Sequence, residues 1–442
     1  MSTFAYSHGF YFTSKSSGGK ISDEKSRIRG KGDNMKKTLM LLLAVVLVFG
    51  VMLVGCSKGA KEETVTVDEN SIEAKVAKGQ TLSEADLIAL AKQESGDFIA
   101  YGNSSRIKNA VSNFVKKYGA QIGLTESNAL GTKMNDTEIY TTLFQEAAGS
   151  NAKAASMVMI QDGAQLQVYR NNSQILENYV PASIKGKVSD EDLVPLVHQY
   201  INKLFIWNNL GNNAPAIKNV WELTEPSMKG RVFFKNPSTE QVNMNFLIMC
   251  TSPAWAAKLA DAYKSYYGKD VALGSYKNAG YKWVAEFLAN CNFSISSDTT
   301  ICQTMAKADS AGNIGLFVLS KFRDVDSSIK GNLTVGAFEA SSVEPFAGFM
   351  YPLYVQLAAN GPRPYTAMLF INYLMSEEGF TPWGGPTTSI MGAYSSSSDI
   401  GASEGDKPIT FWKNCLVAED ANYIMANKSS VVDFVNSAIA NK

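Results

Sequence analysis

Histidine is almost missing from this sequence: of two in 442 residues, only His198 lies beyond Cys56. Without a second histidine or a nearby cysteine, neither a Ser-His-Asp set nor a histidine-rich metal site can be assembled. His198 stands beside Val197 and Tyr200 in a run that reads as a helix, where a structural role is expected. Cysteine is scarce too. Cys56 closes an apolar run, and Cys250, Cys291, Cys302 and Cys415 follow at spacings that match no metal motif. Cys291 with Cys302 is the pair to consider for a disulfide, with buried free thiols as the equal alternative. No glycine-rich phosphate loop occurs. These absences speak against an enzyme and call for no cofactor. There is no surplus of positive charge either, with 41 basic and 41 acidic residues. Residues before Cys56 hold 8 Lys/Arg and 3 Asp/Glu, so 33 basic and 38 acidic residues follow, the wrong sign for a nucleic-acid binder. Beyond Val54, Pro, Gly or charge interrupts every apolar run before it reaches the length of a membrane span.

What is present begins with an export signal. Lys36 and Lys37 precede an almost wholly apolar run from Leu39 to Val54, and Leu53-Val54-Gly55-Cys56 has the form of a bacterial lipoprotein signal with Cys56 as the lipidated residue. Residues 35–55 are therefore expected to be a signal peptide. Residues 1–34 are polar and patternless and read as an over-extended start. The mature chain is expected outside the cytoplasm, lipid-anchored to the bacterial membrane in the periplasm or at the outer cell surface. Residues 56–80 are charged and free of aromatics, which predicts a flexible tether.

From residue 81 helices alternate with strands, which argues for an α/β layer architecture. Ser83 is placed to cap a helix through Leu87, Leu90 and Ala91, and Phe98–Tyr101 reads as a strand. After the loop Gly102-Asn103-Ser104-Ser105 comes a helix with Ile107, Ala110, Val111, Phe114, Val115 and Tyr118 on one face, closed by Gly119. A second polar turn, Asn135-Asp136-Thr137-Glu138, precedes a helix, and the buried strand Met157–Ile160 runs into Gln161-Asp162-Gly163. Leu204–Trp207 reads as a crossing strand into a second lobe. There Gly230–Thr239 shows a short strand, Val232–Phe234, ending in Asn236, Ser238 and Thr239 ahead of a helical run from Gln241. These hydroxyl and amide side chains would either cap that helix or share its free N–H groups with a ligand. Further helices are expected from Ser252-Pro253 to Gly268 and over Trp283–Leu288, and further strands over Ile314–Leu319, followed by Ser320-Lys321, and over Leu333–Phe338 and Phe349–Leu357. A helix from Pro364 to Gly379, a Ser-rich loop at Ser395–Ser398 and a last helix from Ser430 to Ala440 complete the chain.

The order of these segments resembles the extracellular solute-binding proteins of ABC importers, in the branch that includes ferric-iron, thiamine, phosphonate and hexose-phosphate binders. DLIALAKQESGDFIAYGNSSR is similar to the family's opening helix, first strand and ligand loop, and AASMVMIQDGAQL to its second strand and turn. VWELTEPSMKGRVFFKNPST resembles the segment that leads into a ligand-facing loop, and FINYLMSEEGF its late helix. The resemblance spans roughly residues 84–390. It implies a two-lobed periplasmic-binding-protein fold with crossing strands and a ligand cleft: residues 81–203 as the first lobe, 204–337 as the second, and 338–442 returning to the first with C-terminal helices packed across both. It implies no enzymatic activity, a monomer, a small-molecule solute and a permease as partners, and ligand-facing positions at Asn103, Ser104, Ser105, Asn236, Ser238, Thr239, Ser320 and Lys321. Asn135 to Thr137, with Asp136, and Gln161-Asp162 are further candidates.

Where the iron binders carry adjacent tyrosines, this chain has Ser320, Lys321 and Phe322. A charged Lys cannot ligate a ferric ion, so an anionic solute such as a sugar phosphate, phosphonate or carboxylate is favoured over iron. Tyr266-Tyr267 does not replace the pair, because adjacent helical residues point about 100° apart. Trp207 and Tyr101 would suit either a sugar face or the core. A surface adhesin or antigen lipoprotein, with no cleft ligand, is the alternative from another class.

Overall fold

The computed structural model describes residues 68–149, 153–172, 175–212, 217–338 and 343–442. The expected signal peptide, Cys56 and the residues before it lie outside these. Among the described residues no helix is long and apolar enough to cross a membrane.

Short apolar runs, buried on both faces, make the parallel strands. Phe98–Gly102 (β1) lies between Ala129–Lys133 (β2) and Met157–Ile160 (β3), parallel to both. Leu176–Glu177 (β4) is a short edge piece, and Val197–Asn208 (β5) is the long strand that leaves this lobe. In the second lobe Val232–Phe233 (β6) lies between Cys291–Asn292 (β7) and Ile314–Val318 (β8), again parallel to both. Leu333–Val335 (β9), Gly348–Ala358 (β10), Ala393–Ser395 (β11) and Val417–Ala418 (β12) complete the set.

The sheet runs β2-β1-β3-β10-β5-β8-β6-β7, so two parallel halves are joined through one antiparallel pair, β5 with β10. Both are buried along almost their whole length and carry the chain between lobes. Helices cover the halves. In the first lobe Phe98 and Phe114 pack on Phe370 of the helix Pro364–Leu374, with ring centroids 5.3 and 5.0 Å away. In the second, Trp283 stacks on Phe287 at 4.7 Å and meets Phe346 edge-on at 5.4 Å.

Several expectations need adjusting. Ile72–Gly79, placed in the tether, is a helix capped by Ser71 with Val76 buried. Helix Arg106–Ile122 passes through Gly119 and ends at Gly123, whose φ of 70° suits glycine; Gly119 is needed instead because a Cβ there would meet the Leu124 carbonyl. His198 sits in strand β5, not a helix. Its Nε2 donates to the Leu374 carbonyl at 3.1 Å, and burial lowers its pKa to about 4, so the ring stays neutral. The helix from Pro364 stops at Leu374, and Glu377–Phe380 forms a separate turn. Ser395 belongs to β11 rather than a loop, and the last helix starts at Ala421, earlier than its apolar pattern suggests. Cys250, Cys291, Cys302 and Cys415 are free thiols, with Cys291 and Cys302 buried. Trp207 is core, and Tyr267 bonds Glu225.

The close approach of the two crossing strands depends on Gly348, which faces Leu204 in the register. A Cβ there would be driven into the Lys203 carbonyl and the Leu204 Cα, both backbone atoms that cannot rotate away. Gly348→Ala is expected to cost about 2 kcal/mol or more. Chemical denaturation reads this directly, and an unchanged midpoint would refute the packing argument.

Candidate functional site

The loops at the carboxyl ends of both parallel halves face each other over the crossing strands and enclose a cavity of about 720 Å³. The first lobe contributes Asn103–Arg106 after β1, Lys133 and Asn135–Glu138 after β2, and Gln161 and Gln165 after β3. The second contributes Lys235 and Thr239–Val242 after β6, Ser296–Thr299 after β7, and Ser320, Lys321, Arg323 and Asp324 after β8. Gln199, Ile201, Tyr351, Leu353, Ala393 and Trp383 form the floor. Their alignment follows from register: Gln199 pairs with Leu353, and Ile201 with Tyr351 and Ala393, so alternate residues of three strands share one face.

Among the expected ligand positions, Asn103, Ser104, Ser105, Asn135, Asp136, Thr137, Gln161, Thr239, Ser320 and Lys321 line this cavity. Asp162, Asn236 and Ser238 do not. Asp162 caps the helix from Gly163, accepting from the Gln165 N–H at 3.2 Å, and faces Lys428 at 3.4 Å. Asn236 closes a local turn by accepting the Ser238 N–H, and the exposed Ser238 hydroxyl donates to Asn436. Both Lys428 and Asn436 belong to the last helix, Ala421–Ala440. The wall residues that the sequence reading passed over include Arg106, Lys133, Lys235, Arg323, Gln199 and Trp383. Arg106 directly follows the quoted loop, whereas Lys133 ends a strand with little apolar signal and Gln199 lay in a run read as helical.

Asp136 organises the first-lobe wall. Its carboxylate accepts from the Asn103 side chain and from the backbone N–H groups of Gln161 and Asp162, at 3.1 and 2.8 Å. It therefore ties the turns after β1, β2 and β3 together. Burial raises its pKa to about 6 against the pull of the Asn103 bond.

The walls hold as many basic as acidic side chains, so the sign of the site depends on which are already paired. Glu138 accepts from the Asn135 N–H in a capping box, and Asp136 is engaged as described. Glu240 pairs with Lys235, Asp298 with the buried Lys203 at 3.4 Å, and Asp324 with Arg323 at 3.6 Å. In contrast, Arg106, Lys133 and Lys321 make no side-chain ion pair or hydrogen bond among the described residues. Burial lowers the pKa of Lys321 against the pull of the Asp298 and Asp324 charges, with Lys133 and Arg106 adding to the lowering; burial likewise lowers that of Arg106 against Asp324. Arg106 and Lys133 come from the first lobe and Lys321 from the second. The helix Gln241–Cys250 also begins at the cleft with no side-chain cap, which leaves first-turn N–H groups available on the second-lobe side. At the start of Arg106–Ile122 the Arg106 N–H donates to the Ser104 hydroxyl, and the Ile107 and Lys108 N–H groups donate to the Ser104 and Ser105 carbonyls.

The fold is similar to that of solved periplasmic binding proteins. AfuA from Actinobacillus pleuropneumoniae, with exogenous fructose-6-phosphate bound, aligns with a TM-score of 0.55 and 14% identity over 78% of this chain and 99% of that one. The chain has the periplasmic-binding-protein fold. Iron-bound HitA from Pseudomonas aeruginosa gives a TM-score of 0.52 at 14% identity, covering 78% of this chain and 99% of that one. The ferric binding protein from Campylobacter jejuni gives 0.52 at 14% identity, covering 77% and 99%. No family model matches the sequence, and no curated protein matches it.

Glu419 lies beside the crossing strand β10, just after β12, and accepts from Asn245 at 3.2 Å. Burial, aided by the Asp162 charge, raises its pKa to about 8. The folded state therefore holds this proton more tightly than the unfolded chain, so Glu419 should make stability fall as pH rises from the ordinary glutamate range towards 8. Glu419→Gln, which mimics the protonated form, is expected to melt higher than the wild type at pH 8 and nearly equal to it at pH 5. Parallel melting profiles for the two proteins would contradict the assignment.

Proposed function

We propose that this protein is the solute-binding component of an ABC importer that captures a small anionic solute between its lobes and delivers it to a permease, from an exported, lipid-anchored position. The observation that carries the reading is the charge arrangement: every wall carboxylate has at least one oxygen engaged within the protein, while Arg106, Lys133 and Lys321 converge from opposite lobes with no ion pair or side-chain hydrogen bond of their own among the described residues. A phosphate, phosphonate or carboxylate would bridge them. Only the closed form makes bonds to both sides, so the anion supplies the differential affinity that drives closure. The uncapped start of the helix Gln241–Cys250 adds neutral donors of the right polarity.

Ferric iron is the competing ligand, since some of the compared structures bind it. Among the described residues no group of three or more His, Cys, Asp or Glu could hold a metal. Tyr351, the tyrosine on the floor, has its ionisation strongly disfavoured by burial. Iron would therefore need a bound anion to supply most of its oxygens.

Lys321→Met removes a partly buried cation that the fold does not pair, so it should weaken binding of a hexose monophosphate roughly ten- to a hundredfold while leaving the ligand-free protein at least as stable. Titration calorimetry with a parallel thermal melt measures both. No response of the wild type to any phosphate, phosphonate or carboxylate would sink the anion reading. Colour with ferric citrate and a tyrosinate charge-transfer band would favour iron. No cleft ligand of either kind would favour an adhesin or antigen.

A further inference from the structure

The floor of the cleft carries polar atoms that the protein leaves unsatisfied. Gln199 is 0% exposed, yet neither Oε1 nor Nε2 has a hydrogen-bond partner among the described residues. Trp383, 5% exposed, likewise leaves Nε1 unpaired. At the first-lobe edge Asn103 gives its Nδ2 to Asp136 but leaves Oδ1 buried and unpaired. Across the cleft Asp298 uses Oδ2 on Lys203 and leaves Oδ1 unpaired. All four residues line the same cavity.

Such groups are costly, because each gives up water and gains nothing in return. Gln199 lies at the centre of the sheet between Leu353 and Ser395, where an aliphatic residue would pack without that cost. Trp383 is held in place independently of any ligand: its ring meets His198 edge-on at 5.0 Å, and His198 is fixed by the Leu374 carbonyl. The unpaired set contains both kinds of group. Gln199 Nε2 and Trp383 Nε1 can only donate, whereas Gln199 Oε1, Asn103 Oδ1 and the carboxylate oxygen Asp298 Oδ1 accept. A bare oxyanion satisfies donors alone. A row of hydroxyl groups satisfies both, since each donates and accepts. Ile201, Leu353 and Ala393 beside them offer an apolar surface to C–H groups. The volume, about 720 Å³, is in the range of small-molecule sites and far exceeds what an inorganic oxyanion fills.

We infer that Gln199 and Trp383 form a hydroxyl-reading subsite at the floor of the cleft, so that the solute is a polyhydroxylated anion, with its charge between Arg106, Lys133 and Lys321 and its hydroxyls on the floor. This rests on the anion reading above and narrows it: an acidic head alone does not fill the site. The unpaired acceptors select against simple oxyanions and short dicarboxylates, because those leave the acceptors dry and unsatisfied.

The test compares three probes, a hexose monophosphate, a hexuronate and inorganic phosphate, by titration calorimetry against the wild type, Gln199→Leu and Trp383→Phe, with Lys321→Met as the charge control. The wild type is expected to bind one of the hydroxylated anions at least about tenfold more tightly than phosphate. Gln199→Leu should cut that preference by about tenfold or more while raising the melting temperature of the ligand-free protein, a pairing that a merely structural glutamine would not give. Trp383→Phe keeps the ring and loses the N–H, and should reduce the preference in the same direction. If the wild type binds anions, and Lys321→Met weakens them, but phosphate binds as well as the hydroxylated probes or both floor variants keep the full preference, the floor subsite is wrong and the anion clamp stands. If the wild type binds none of the three, both are overturned.

Discussion

The antiparallel pairing of β5 with β10 is the constraint on which the cleft depends. It joins two parallel half-sheets into one, so the carboxyl ends of both halves must open toward the same space. In open α/β sheets those ends collect the turns and helix starts that hold ligands. The same pair also sets the floor, because register decides which side chains look upward. A one-residue slip would replace Gln199 and Ile201 with His198, Tyr200 and Asn202, and the polar floor would be lost to the opposite face. That opposite face is equally committed: His198 anchors Trp383, and Asn202 bonds Tyr394, which in turn bonds Asp406. Register is therefore held from both sides of the sheet.

Charge follows from this geometry. Burying carboxylates at the cleft would be costly if they stood alone, and each is met by a lysine, an arginine or backbone N–H groups. Lys203 is the extreme case, a lysine with 1% exposure in the middle of β5 that is tolerated because it donates a hydrogen bond to Asn243 Oδ1 at 2.8 Å and Asp298 lies beside it. Once these pairs are formed, the remaining cations face one another. Lys133 and Arg106 oppose the charge on Lys321 while Asp298 and Asp324 favour it, and under the proposed function an anion bound between the three cations would favour it further.

Much of the architecture was legible in the sequence because the strands are continuous apolar runs and the helices carry strong caps. Met157–Ile160, Ile314–Val318 and the helices from Glu84 and Pro253 lie where pattern and capping put them. Polar turns after strands located several cleft residues for the same reason. What escaped is what local pattern does not encode. β5 mixes Gln199, Asn202 and Lys203 with apolar residues, since its polar side chains are satisfied by partners far along the chain, so only its Leu204–Trp207 end looked like a strand. Lys133 ends a strand of Ala, Leu, Gly and Thr with weak signal. Gly230–Thr239 read as a capped helix start, yet the helix from Gln241 has Glu240 at its cap position and no side-chain cap. Of the three polar residues singled out there, Thr239 reaches the cleft while Asn236 and Ser238 serve the turn and the outer surface.

The outer surface shows what the missed residues do instead. The last helix packs on Gln241–Cys250 and Ala279–Asn290 of the second lobe and also touches Gly163–Asn172 of the first. Its polar bonds to the two lobes include Ser238 with Asn436 and Asp162 with Lys428. One is an exposed hydrogen bond and the other a long ion pair with a half-exposed lysine, so each is worth about 0–1 kcal/mol. A bidentate or bridging bond to a desolvated anion inside the cleft is stronger than either. The helix is therefore held mainly by its packing on the second lobe, and under the proposed function an anion bonded from both walls, rather than this helix, would set the balance between open and closed forms.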